Sequence, residues 1–192
     1  MQRYIAFLSG LPVGGESVTA QTLRSLFLKL GFVDVEAHGT TGNVAFDTSP
    51  VGVTAALEAQ ISRHLKRFIH GDIWTFIRTR QEVERIIRDA PPCDTAASTV
   101  FVVFLAEPLD ERSARRIRTN HSTADSLHPA GKEIYWVRRV TADGGSPLSL
   151  IDFIDCPATL RSLTTLKGVL TRHPPGPVFE APKVTESERS RP

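Results

Sequence analysis

Apolar positions recur along this chain with periods of two and of about 3.6 residues, which divides most of it into short strands and amphipathic helices. Residues 3–9 are apolar and aromatic over a strand's length and stop at Gly10, the pattern of a buried strand. After the turn Gly10-Leu11-Pro12-Val13-Gly14-Gly15, the residues Leu23, Leu26, Phe27 and Leu30 share one helical face. Gly31 ends that helix, and Phe32 is placed to pack back on its last turn as in a Schellman cap. Residues 33–37 and 43–47 alternate with period two on either side of Gly39-Thr40-Thr41-Gly42 and predict a hairpin. Ser49-Pro50 predicts the next helix start, a capping serine followed by a proline that loses no hydrogen bond. Val53, Leu57, Ile61 and Leu65 form its packing stripe, and residues 72–78 predict a fourth strand.

The order strand, helix, strand, strand, helix, strand over residues 3–79 is the split β-α-β, or ferredoxin-like, unit, in which two helices cover one face of an antiparallel sheet. A helix over residues 81–90, with Val83, Ile86 and Ile87 facing inward, stops at Pro91-Pro92, and the small polar run over 93–98 reads as a linker. The pattern then restarts. A strand over 100–105, a helix over 110–118 capped by Asp110, a strand over 124–127, the turn Pro129-Ala130-Gly131 and a strand over 133–138 follow in order. Ser146-Pro147 predicts a helix through about Ile154, and Leu160, Leu163, Leu166, Val169 and Leu170 predict a last one. The second half therefore reads as a partial copy of the first, an internal duplication. The expected fold class is α+β with two ferredoxin-like halves, residues 1–80 and 99–172, joined by the helix and linker of residues 81–98. In residues 173–192 proline, glycine and charge dominate, so that tail is expected to be disordered.

Composition narrows the class. Of 192 residues, 41% are hydrophobic and 23% charged, which excludes a collagen, a wholly disordered chain and a disulfide scaffold. A net charge of +2 is too even for the whole surface to serve nucleic acid or anionic lipid, so any anion site must be local. No apolar run approaches the roughly 18 residues of a membrane helix, and the opening run breaks at Ser9-Gly10, too early for an export signal. A cytoplasmic protein without membrane association is expected. Cys93 and Cys156 stand apart with no metal-ligand spacing and read as reduced thiols, so neither a metal nor a cofactor is expected.

Three motifs in order and spacing resemble a bacterial family known as domain of unknown function 1697. Its strand-to-turn R-G-I-N-V-G-G is matched by Ser9-Gly10-Leu11-Pro12-Val13-Gly14-Gly15, its L-G-F-x-x-V by Leu30-Gly31-Phe32-Val33-Asp34-Val35, and its S-G-N-V-x-F by Thr41-Gly42-Asn43-Val44-Ala45-Phe46. Its A-T-T-R-N-W-N-T helix start is matched in part by Ala158-Thr159-Leu160-Arg161-Ser162-Leu163-Thr164-Thr165. The resemblance spans residues 3–172 and implies a pair of ferredoxin-like halves with no assigned chemistry. Ser9, Ser162 and Leu163 depart from the arginine, asparagine and tryptophan usual in the family, which makes a diverged member a live reading.

Glycine-rich backbone ahead of a helix can present amides to a phosphate. The candidate ligand residues are accordingly Gly10, Gly14, Gly15 and Ser17 of the first turn, Gly42 and Asn43 of the hairpin, and Arg78 and Arg161 as charge-assisted contacts. Walker A and dinucleotide fingerprints are both missing, and a structural turn is the favoured account of the glycines. His38 is the histidine beside this hairpin; Asp152 and Asp155 form an acidic pair at helical spacing. Arg112, Arg115, Arg116 and Arg118 line one helix, with Arg138 and Arg139 on a later strand, and read as a solvated basic face. An RNA-recognition sheet needs aromatic residues on its first and third strands, but Asn43 and Ala45 stand at the third-strand positions. No catalytic constellation is found. The leading expectation is a non-enzymatic binding module for a small anionic ligand, as monomer or homodimer. An enzyme acting on a nucleotide-like or phosphorylated molecule, with Ser17, His38, Asn43 or Arg161 taking part, is the rival, and weak RNA or single-stranded DNA binding is the third.

Overall fold

The computed structural model describes residues 1–12, 18–38, 42–92, 98–119, 125–139 and 154–172. These residues form β1 (Gln2–Ser9), α1 (Ala20–Lys29), β2 (Val33–His38), β3 (Asn43–Thr48), α2 (Thr54–Leu65), β4 (Trp74–Thr79) and α3 (Arg80–Arg88). After them come β5 (Ser98–Leu105), α4 (Glu111–Thr119), β6 (Asp125–Ala130), β7 (Glu133–Arg139), β8 (Ala158–Ser162) and α5 (Leu163–Arg172). Two antiparallel sheets result, with orders β2-β3-β1-β4 and β6-β7-β5-β8. The second order is the first with every strand advanced by four, so the fold is α+β with two ferredoxin-like halves.

Period-two alternation determines how the halves meet, because successive side chains on a strand leave opposite faces of the sheet. On β1, Tyr4, Ala6 and Leu8 pack under Phe27 of α1 and Leu57, Ile61 and Leu65 of α2. Ile5 and Phe7 leave the other face and meet Val102 and Phe104 of β5, with Val83 and Ile86 of α3 and Leu166 and Val169 of α5 sealing the seam. Val103 and Leu105 then turn outward toward Ile117 of α4. The result is helix, sheet, sheet, helix, with a continuous apolar core between the sheets. At its centre the Phe7 and Phe104 rings stack with centroids 4.4 Å apart. Burying each such ring contributes about 1.5–3 kcal/mol.

Local chemistry accounts for the element ends. Phe32 does fold back on α1, its ring 6.0 Å from Phe27. Asp110 caps α4, its carboxylate accepting from the Ser113 amide at 2.6 Å. That bond holds the Asp110 carboxyl below its usual pKa. Thr79 and Glu82 close a full capping box on α3.

Two expectations are corrected. The helix expected from Ser49-Pro50 begins at Thr54, because the Tyr4 hydroxyl captures the Val51 amide at 3.0 Å and Gly52 disfavours an earlier turn. Val53 lies outside the stripe and is exposed. The last amphipathic run is likewise split: Leu160 lies in strand β8, exposed, and the helix starts only at Leu163. That strand completes the second sheet. It escapes a hydrophobicity pattern because its inward positions are Thr159 and Arg161, both buried. Residues 146–153 of the helix predicted through about Ile154, the linker residues 93–97 with Cys93, and the tail lie outside the described residues, and Ile154 itself is not helical. No described helix is long and apolar enough to cross a membrane.

Candidate functional site

Register places two arginines at matching points of the two sheets. Ile5 of β1 faces Arg78 of β4, and Val102 of β5 faces Arg161 of β8; two residues along, Phe7 faces Asn43 of β3 and Phe104 faces Glu133 of β7. All four of these polar side chains are buried. Each arginine crosses the seam. Arg78 donates from Nε to Glu133 Oε1 at 2.6 Å, with its guanidinium 5.4 Å from the Phe104 ring centroid. Arg161 donates from Nε to Asn43 Oδ1 at 2.6 Å, with its guanidinium 5.8 Å from the Phe7 ring. The stacked phenylalanines thus lie on a local two-fold axis, and an arginine from each half caps the ring of the other.

Arg161 is held by more than this amide. Nη2 donates to the Leu8 carbonyl at 2.7 Å, and Nη1 to Thr159 Oγ1 and the Leu160 carbonyl at 2.8 and 2.7 Å. Burial pushes its pKa down to about 10, still charged at neutral pH. The Leu8 amide in turn donates to the Gly42 carbonyl at 2.8 Å. Gly42, Asn43 and Arg161 therefore gather around Leu8, near Gly10 in the chain.

Both of these glycines have structural work. Gly10 has φ +74°, and a Cβ there would stand 2.0 Å from the Asp72 carbonyl oxygen; Gly42 has φ +69°, and a Cβ would meet the Leu11 side chain at 2.6 Å. Arg78 lies elsewhere, paired with Ile5, five residues from Gly10 along β1 and so about 17 Å away at 3.3–3.4 Å per residue. Gly14, Gly15 and Ser17 lie outside the described residues, as does Asp152; Asp155 is exposed and not helical.

Beside Asn43, where the β2–β3 hairpin meets α5, lies a cavity of about 280 Å³ lined by His38, Asn43, Thr164, Thr165 and Arg172. Ser162 caps α5 above it, its hydroxyl accepting from the Thr165 amide at 3.1 Å. Desolvation lowers the His38 pKa, and Arg172 and Arg3 lower it further against the opposing pull of Glu36. With Asn43 Oδ1 committed to Arg161, this amide can offer an anion only N–H. Glu133, Thr164, Thr165 and Arg172 were not legible as candidates. One signal pointed to them: Ile77-Arg78-Thr79 and Leu160-Arg161-Ser162 are the same tripeptide pattern at the same place in each half.

The basic face is also visible. Arg112, Arg115, Arg116 and Arg118 are exposed on α4, with Arg118 3.4 Å from Glu111, and Arg138 lies over Trp136. The sheet face that an RNA-recognition module would leave open carries Ile5, Phe7 and Ala45, and here the second sheet covers it. Among the described residues no group of His, Cys, Asp and Glu could hold a metal ion, and Cys156 is a free thiol.

The fold is similar to that of the conserved bacterial protein SP0830 from Streptococcus pneumoniae, with a TM-score of 0.65 at 20% identity over 88% of this chain and 96% of that one. No curated protein matches the sequence. The sequence model of the protein family of unknown function DUF1697 matches residues 1–135. With most of its length so matched, the chain belongs to that family.

Proposed function

We propose that this protein is a non-enzymatic binding module that takes a small anion, such as a phosphate group, in the cavity between the β2–β3 hairpin and α5. The observation that carries the reading is the lining: His38, Asn43, Thr164, Thr165, Gly168, Val169 and Arg172 include no acidic side chain among the described residues. Arg172 supplies charge, Thr164 and Asn43 supply neutral donors, Thr165 shares a 2.8 Å bond with the Ser162 hydroxyl that an anion would compete for, and the first turn of α5 adds the positive end of a helix dipole. The Arg161 clamp serves this site indirectly, by fixing Asn43 from behind.

Thermal-shift and calorimetric titration with inorganic phosphate, nucleotides and sugar phosphates tests the reading. The wild type gains melting temperature with at least one of them, and Arg172→Ser and Thr165→Val lose that gain. No stabilisation by any of them removes the site. Turnover of a phosphorylated probe that vanishes in Asn43→Ala would move the protein into the enzyme class instead. Steep loss of affinity for single-stranded RNA with salt, abolished by Arg115→Ser and Arg116→Ser, would favour the α4 face.

A further inference from the structure

Across the local two-fold axis from the hairpin cavity lies a larger one, about 580 Å³, between α3 and the β6–β7 turn. It is built from the corresponding residues. Glu82, Arg85 and Ile86 of α3 and Asp89 just past its end line it, and Thr165, Gly168, Val169 and Arg172 line the smaller cavity at the same spacings from Arg161 that these keep from Arg78. The volume falls in the range of metabolite pockets, roughly 300–1,000 Å³.

The polar groups of this lining are unevenly used. Glu82 is spent on the capping box, its carboxylate accepting from the Thr79 amide and hydroxyl at 2.7 and 2.9 Å. Glu133 is spent on Arg78, and Asp89 pairs with Arg88 at 3.1 Å. The cations are in the opposite condition. Arg85 and Lys132 make no ion pair among the described residues. Arg78, whose side chain is 5% exposed, forms part of the wall, and its Nη2 is buried with no hydrogen-bond partner among the described residues. An orphaned donor of this kind is costly, and an acceptor brought to it recovers the loss.

We infer that this cavity is a second binding site, for a small organic anion whose phosphate or carboxylate group lies between Arg85 and Lys132 at the rim and Arg78 at the floor. The inference does not depend on the hairpin cavity, since no lining residue is shared. Tyr135 closes the floor, its hydroxyl donating to the Ile86 carbonyl at 3.0 Å, and so reports on occupancy.

Calorimetric titration of the full chain with inorganic phosphate, adenosine monophosphate, succinate and citrate tests it, the first two probing phosphate and the last two carboxylate. At least one binds saturably, about tenfold or more weaker in both Arg85→Ser and Lys132→Ser, and equally in the wild type and Arg172→Ser. Binding also moves the Arg78 Nε–H and Tyr135 ring resonances. The site is overturned if none of the four binds, if both rim variants keep wild-type affinity, or if binding leaves those two resonances in place. Loss in Arg172→Ser alone would assign the heat to the hairpin cavity and likewise overturn this one.

Discussion

The two halves share one topology and differ where each reaches into the other. Arg78 meets the carboxylate of Glu133, with Glu58 a further 3.9 Å contact, whereas the equivalent Arg161 meets the neutral amide of Asn43 and the backbone carbonyl of Leu8. One crossing is ionic, and the other rests on dipoles. Two sheets of one strand order can thus keep a common seam while their buried acceptors differ. The stacked Phe7 and Phe104 rings and the two capping guanidiniums keep the geometry, while the acceptors set the chemistry of the cavity beside them.

The largest effect is expected where the ionic crossing is stripped. Arg78→Leu leaves the Glu133 carboxylate buried without its partner, which costs about 3–5 kcal/mol and is read by urea unfolding. A cost below about 1 kcal/mol would mean that Glu133 finds solvent and the crossing is not closed. Arg161→Leu removes the charged donor from Asn43 Oδ1 and from the Leu8 carbonyl, leaving the latter the longer 3.4 Å bond from the Thr159 hydroxyl, and should cost about 2–3 kcal/mol. Glu133→Gln makes the second half resemble the first; an acceptor remains for Arg78, so the cost falls to about 1–2 kcal/mol.

A finer test addresses the axis that both crossings share. Replacing Phe7 and Phe104 by leucine singly and together should give a coupling energy of about 0.5–1.5 kcal/mol, because the rings touch across the seam. Additive effects would mean that the two sheets do not sense each other there.

Much of this arrangement could be read from the chain before any coordinates. The unbroken apolar run from Tyr4 to Leu8 marked β1 as a buried strand, and glycines at 31 and 42 marked the turns, so the first half was legible almost to its ends. Strand β8 was not, because Thr159 and Arg161 are polar inside and Leu160 is apolar outside, which inverts the usual rule. An inverted strand is what an inter-sheet polar clamp requires. Asn43 and Arg161 were both named as candidate anion contacts, yet the cavities were invisible. Their linings are assembled from helix faces and turns far apart in the chain, and no local spacing encodes that.

Titration separates the two sides at the smallest scale. Burial, with Asp89 and Glu133 nearby, pushes the Tyr135 phenol up to about 12, so its contribution is complete below pH 10 and disappears as pH rises toward 12. Tyr135→Phe removes that alkaline slope in urea midpoints measured from pH 9 to about 12.

The acid side belongs to the other half. Desolvation first, then Arg172 and Arg3 against Glu36, holds the folded His38 below its ordinary 6.5. The unfolded chain therefore binds the proton more readily. Stability from this residue is complete above pH 6.5 and is lost as pH falls through the depressed folded value. His64, lowered mainly by burial, acts in the same direction, so His38→Gln flattens only part of the acid slope. An anion in the hairpin cavity would offset the charge of Arg172 and favour the imidazolium, raising the His38 pKa toward 6.5. The larger cavity has no histidine among the described residues of its lining, so a ligand confined to it leaves the His38 titration curve in place. Following that curve by NMR with and without inorganic phosphate thus assigns a bound anion to one side of the axis: a rising His38 pKa marks the hairpin cavity, and an unmoved one with Tyr135 shifted marks the other.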